Sequence, residues 1–168
     1  PVKRSDVYQG KEGIGALAAD RVEAMYGLEG GLTAYFSSHR HCAGKPTRFG
    51  LDILGSEGIL QIHTGYLPDM KLLRDSSWSP GQTGSKWVDV SSAGEAKPEP
   101  KEDLKSHGGN ILIAKDLIQS IEEDREPLGG IWHARGAMEM IVAVFESHRQ
   151  GGPVKFPLEN RQNPLTML

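Results

Sequence analysis

Arg21-Val22-Glu23-Ala24-Met25-Tyr26-Gly27-Leu28-Glu29-Gly30-Gly31-Leu32-Thr33-Ala34-Tyr35-Phe36 is the stretch that decides the fold. Val22, Ala24, Tyr26 and Leu28 alternate with Arg21, Glu23, Met25 and Gly27, a period of two that sends successive side chains to opposite faces of a strand. Glu29-Gly30-Gly31 interrupts the alternation, and Leu32, Ala34 and Phe36 resume it. Glycine supplies the positive φ that a tight turn needs, so the stretch predicts an antiparallel hairpin. A second hairpin follows the same pattern: residues 49–54, the turn Gly55-Ser56-Glu57-Gly58, then residues 59–63. Weaker strands are expected at 70–74 and 86–90, with Ser76-Ser77-Trp78-Ser79-Pro80-Gly81 as a loop between them. Residues 1–19 hold no sustained period and read as a leading loop, and residues 91–107 read as an exposed connection.

Beyond this the period changes. Asn110 is placed to cap a helix whose stripe is Ile111, Ala114, Ile118 and Ile121, and Pro127 bars its continuation. Ala134, Ala137, Met138, Ile141, Phe145 and His148 trace a second, longer stripe, expected to face the core. Gly151-Gly152-Pro153 ends it, with His148 and Arg149 set against the negative end of the helix dipole. Strands followed by helices predict an α+β fold: an open, mainly antiparallel sheet with helices packed on one face.

The 168 residues amount to one domain's worth of chain, 38% hydrophobic and 24% charged, with 21 Gly and 10 Pro. Size scaling expects folding to bury about 69% of the surface, enough for a core of its own. A net charge of −3 without a basic run argues against nucleic acid as a partner, and no apolar stretch is long enough to span a membrane. Cys42 is the one cysteine, so no internal disulfide forms and the reading is a reducing, cytoplasmic compartment. The chain starts at Pro1 rather than Met, which reads as a piece of a longer protein.

Few residues carry chemistry. Gly10-Lys11-Glu12-Gly13-Ile14-Gly15 has the spacing G-x-x-G-x-G, the reverse of the dinucleotide fingerprint, with no strand before it. His39-Arg40-His41-Cys42 is the densest reactive cluster. On a strand His39 and His41 share a face, and with Arg48 they are candidates to hydrogen-bond a polar ligand near the strand ends. Zinc held by His39, His41 and His63 is the metal alternative, although the tightly spaced ligand pairs of structural zinc are missing. Trp132-His133-Ala134-Arg135 opens the second helix, where a ring beside two polar donors suits a sugar-like ligand. The competing role for Trp132 is to anchor the helix start in the core. Asp103 and His107 could form a carboxylate-oriented base, but they fall in the long connection, where a solvated loop is the plainer reading.

The tail carries a family resemblance. Asp124-Arg125-Glu126-Pro127-Leu128, Ala134-Arg135-Gly136-Ala137-Met138-Glu139-Met140-Ile141, the run from Val144 through Gly151-Gly152-Pro153-Val154, and Phe156-Pro157-Leu158 resemble the end of the glucose–fructose oxidoreductase/inositol dehydrogenase/MocA family. Asp20-Arg21-Val22, Leu54-Gly55-Ser56-Glu57-Gly58-Ile59-Leu60 and His107-Gly108-Gly109-Asn110 are similar to its sheet and helix lead-in. The resemblance implies a C-terminal domain that lines a substrate pocket and forms an oligomer interface. It implies as partner the parent's own N-terminal Rossmann domain, where NAD or NADP binds. The family's catalytic Glu-Lys-Pro segment and Asp/His pair belong upstream. Lys97-Pro98 follows Ala96 and lies beyond the hairpins, so no catalytic residue and no cofactor contact is carried over to this chain.

The expected function follows: the substrate-side half of an NAD(P)-dependent oxidoreductase for a sugar, polyol or related hydroxylated molecule, inactive alone. Its substrate-binding candidates are His39, His41, Arg48, Trp132, His133 and Arg135, and no metal is assigned. Self-association through the open sheet face is expected, with Met25, Tyr35 or Leu54 exposed on it. A non-catalytic ligand-binding or scaffold module on the same sheet is the alternative, and a metal-dependent hydrolase the third.

Overall fold

In the computed structural model the described residues are 1–11, 13, 15–39, 50–63, 68–79, 81–100 and 108–168. His41, Arg48, Cys42, Asp103 and His107 lie outside them. The strands are β1 (Tyr8–Gln9), β2 (Ala16–Leu17), β3 (Arg21–Gly27), β4 (Thr33–His39), β5 (Gly50–Gly55), β6 (Gly58–His63), β7 (Met70–Leu73), β8 (Val88–Ser91) and β9 (Gly94–Glu95). The helices are α1 (Gly108–Glu122) and α2 (Ile131–Gln150). Among the described residues all strand pairing is antiparallel, and with the two helices this gives the α+β class. The strands are distributed over three ladders: β1-β2, β3-β4 and the five-stranded β5-β6-β7-β8-β9. By contacts the chain divides into two compact units, Pro1–Cys42 with Leu128–Leu168, and Ala43–Pro127.

In the first unit the hairpin read from residues 21–36 forms as expected, Met25 pairing with Tyr35 and Glu23 with Ser37. Gly30 and Gly31 take the positive φ of the turn, 72° and 77°. The leading segment is more ordered than its sequence predicts. Tyr8–Gln9 pairs with Ala16–Leu17, and the Gly10 amide donates to the Gly15 carbonyl at 2.7 Å. Two-residue strands are too short for a period to register.

Helix α2 ends at Gly151, whose φ of 70° lets its amide reach the His148 and Ser147 carbonyls. Its inward face differs from the expected stripe. Met138 and Ile141 are exposed, whereas Ala143 and Glu146 are buried, so the face turned inward runs through Glu139, Val142, Ala143 and Glu146. The cause is the C-terminal segment. Leu158, Pro164 and Leu165 are buried, and the donors of that segment reach two carboxylates of α2. An inward face chosen by tertiary hydrogen bonds leaves no mark in apolar periodicity.

In the second unit the meander has two contrasting faces. Ladder register places Leu51, Ile62, Met70 and Val90 in one row, and Ile53, Leu60, Leu72 and Val88 in the next, all on one face. On the other face Asp52, Gln61, Lys71 and Asp89 form a polar row, closed by a 2.6 Å bond from Lys71 Nζ to Asp89 Oδ1. Gly58 has a structural reason to be glycine: its φ is +151°, and a Cβ there would sit 2.1 Å from the Leu73 carbonyl oxygen. The expected connection at 91–107 contains the short strand β9, paired with β8. Asn110 is not the helix cap, because α1 already starts at Gly108. The α1 stripe is also not inward: Ile111, Ile118 and Ile121 are exposed. The loop 75–85 is tied from within by Asp75, whose carboxylate accepts from Ser77 N at 3.0 Å, Gly81 N at 2.9 Å and Thr83 Oγ1 at 2.6 Å. The Thr83 hydroxyl bond, followed by those from Ser77 and Gly81, holds that carboxyl well below its ordinary range.

Candidate functional site

The start of α2 is built without a side-chain cap. Gly130 stands at the N-cap, and its carbonyl accepts from the amides of His133 at 3.1 Å and Ala134 at 3.2 Å. Trp132 and His133 lie in the first turn and Arg135 opens the second, and all three are exposed. Trp132 keeps 62% of its surface accessible, so it does not anchor the helix in a core. The Arg135 guanidinium carbon lies 5.7 Å from the Trp132 ring centre, a cation–π pair of i, i+3 neighbours. The pair offers an aromatic face and a guanidinium fork to solvent, and His133 presents its imidazole from another face of the helix.

Arg135 also stands at a cleft of about 640 Å³ within the first unit. Its lining is mainly apolar: Leu17, Met138, Ile141, Phe145, Leu158 and Leu165 among others. Two carboxylates of α2 hold its far wall, the segment 158–165. Glu139 Oε1 accepts the Leu158 amide at 2.7 Å and faces Arg161 Nη1 at 3.4 Å. Glu146, 2% exposed, accepts from Arg149 Nε and Nη2 at 2.9 and 2.7 Å, Gln150 Nε2 at 2.6 Å and Asn160 Nδ2 at 2.9 Å. Its carboxyl is pulled down to about 2, chiefly by the Arg149 guanidinium and against the opposing effect of burial. Asn163 Nδ2 joins the wall to strand β2 through the Ala16 carbonyl at 3.4 Å.

The other sequence candidates are elsewhere. His39 Nε2 lies 3.5 Å from Glu23 Oε1, and Glu23 is also held by Arg21, which keeps its carboxyl below the ordinary range. His63 belongs to the second unit, with Nδ1 3.4 Å from Asp69 Oδ2, next to the Lys71–Asp89 pair. Among the described residues no group of three or more His, Cys, Asp or Glu side chains is placed to hold a metal ion. Of the six substrate-binding candidates the structure therefore pairs Trp132 with Arg135, sets His133 between them in sequence but on another face of α2, and leaves His39 on β4. Glu139 and Glu146 were not singled out from sequence. The one available signal was their i, i+7 spacing on a helix, which also fits a solvated face.

The glycine stretch differs from a dinucleotide-binding turn in its strand context. Its described residues connect the antiparallel strands β1 and β2, whereas a pyrophosphate is seated where a strand leads through a tight turn into a helix N-terminus.

Antiparallel ladders followed by two helices, with an aromatic–cationic cluster opening the second, define an α+β domain that can present a ligand-facing surface. A family model described as the C-terminal alpha/beta domain of an oxidoreductase family matches residues 11–156. The chain belongs to the glucose–fructose oxidoreductase/inositol dehydrogenase/MocA family, as its C-terminal domain. No curated protein and no solved structure matches the chain. No helix among the described residues is long and apolar enough to cross a membrane.

Proposed function

We propose that the chain is the substrate-side and assembly domain of an NAD(P)-dependent oxidoreductase acting on a sugar, polyol or related hydroxylated molecule. The family match over residues 11–156 carries this reading. NAD or NADP, bound by a Rossmann domain of the parent, supplies hydride transfer. This chain contributes binding and orientation at the α2 start. Arg135 and His133 donate hydrogen bonds to hydroxyls, and Trp132 offers its ring to a C–H face of the ligand. The chain alone is inactive in this reading, and its lone cysteine favours a reducing cytoplasm. Self-association is part of the proposal. The two apolar rows of the five-stranded sheet, with Leu51 and Ile53 exposed, and the exposed Met25–Tyr35 pair on β3–β4 support it.

The test uses the intact parent enzyme. His133→Ala should raise KM for the hydroxylated substrate several-fold and leave the Kd for NAD(P) unchanged, because the residue touches one ligand only. Unchanged kinetics with a lowered Tm would assign His133 to stability and remove the α2 start from the substrate site.

A further inference from the structure

The cleft behind Arg135 does not match a polyol. A molecule carrying a hydroxyl on every carbon gives up its hydrogen bonds to water on entering a space lined by Leu17, Met138, Ile141, Phe145, Leu158 and Leu165. At about 640 Å³ the space falls within the range of about 300–1,000 Å³ usual for small-molecule sites. Three charged side chains line it: Arg135, Glu139 and Arg161. Glu139 is engaged by the Leu158 amide and by Arg161. Arg135 makes no ion pair among the described residues, so the cleft has one cation left over at its edge. The wall formed by residues 158–165 lies past the residues that the family model matches.

We propose that this cleft binds a small amphipathic anion, with its apolar body against Ile141, Phe145, Leu158 and Leu165 and its acid group on the Arg135 guanidinium. A planar fork of N–H donors suits a carboxylate held in two parallel bonds, and the apolar floor beside it takes the body of the ligand. The site shares Arg135 with the hydroxylated-substrate reading but is tested apart from it, because it needs neither cofactor nor turnover and is read by binding to this chain alone.

The experiment titrates the chain with decanoate, decanol and sorbitol, following tryptophan fluorescence and heat. Decanoate should saturate at one molecule per chain, decanol should bind at least tenfold more weakly, and sorbitol should not bind. Arg135→Ala should weaken decanoate at least tenfold, with Arg135→Lys recovering part of the loss. Ile141→Asp, at an exposed position that the fold tolerates, should abolish binding while circular dichroism stays unchanged. Decanol binding as tightly as decanoate would overturn the proposal. So would a decanoate affinity indifferent to both Arg135→Ala and Ile141→Asp. A dimer that Ile141→Asp converts to monomer, without decanoate binding to either, would give the cleft to a second copy and equally overturn it.

Discussion

Glu146→Gln tests one of the two carboxylates that tie the C-terminal segment to α2. The wild-type carboxylate is 2% exposed and accepts four hydrogen bonds, two from Arg149 and one each from Gln150 and Asn160. The amide keeps the shape but removes the charge, and it turns an NH₂ group toward donors. Removing one partner of a buried ion pair costs about 3–5 kcal/mol, and the lower end applies because the Arg149 side chain keeps 29% exposure and can be rehydrated. We therefore expect a loss of about 3 kcal/mol, read by urea unfolding at pH 7. The pH dependence has a definite sign. The folded-state carboxyl lies at about 2, below the ordinary 4.5, so its contribution is complete above pH 4.5. It is lost as pH falls toward 2, because the unfolded chain takes up the proton first. The gap between wild type and Glu146→Gln should stay level from pH 7 to 5 and close between 4.5 and 2. A gap independent of pH across that range, or a variant as stable as wild type, would refute the electrostatic account of the segment.

Gly58→Ala should destabilise the second unit by more than about 2 kcal/mol, seen as a fall in Tm, since a Cβ 2.1 Å from the Leu73 carbonyl oxygen requires the ladder to move. Asp75→Ala should lower the Tm and raise amide exchange at Ser77 and Gly81, because Ser77, Gly81 and Thr83 lose their common acceptor. Phe145→Ala should lower stability by about 2 kcal/mol, less than for a fully buried ring because Phe145 lines an open cleft. His148→Ala should cost under about 1 kcal/mol, as His148 is exposed at the helix end and bonded to the Val2 carbonyl at 2.9 Å; equal melting temperatures for the two variants would contradict this assignment.

The hairpins β3–β4 and β5–β6 were legible because alternation and glycine turns are local, and each residue's face follows from its neighbours alone. The C-terminus of α2 was legible for the same reason, through Gly151. The inward face of α2 was not. Met138 and Ile141 satisfy the apolar period, yet Glu146 is the buried residue because Asn160, fourteen positions on, supplies a donor. Strands β1, β2 and β9 are two residues each, below the length at which any period exists. The site divides along the same line. Trp132 and Arg135 are helix neighbours and could be paired from spacing, whereas the cleft depends on residues 158–165 folding back onto α2, which only long-range contacts specify.

The central claim is that this domain serves the substrate while the cofactor is held elsewhere in the parent. Calorimetric titration of NAD and of NADP into the chain tests it most directly. The account predicts no binding tighter than about millimolar for either, because the glycine stretch joins two antiparallel strands rather than a strand and a helix. Saturable micromolar binding of either dinucleotide to the chain would contradict it.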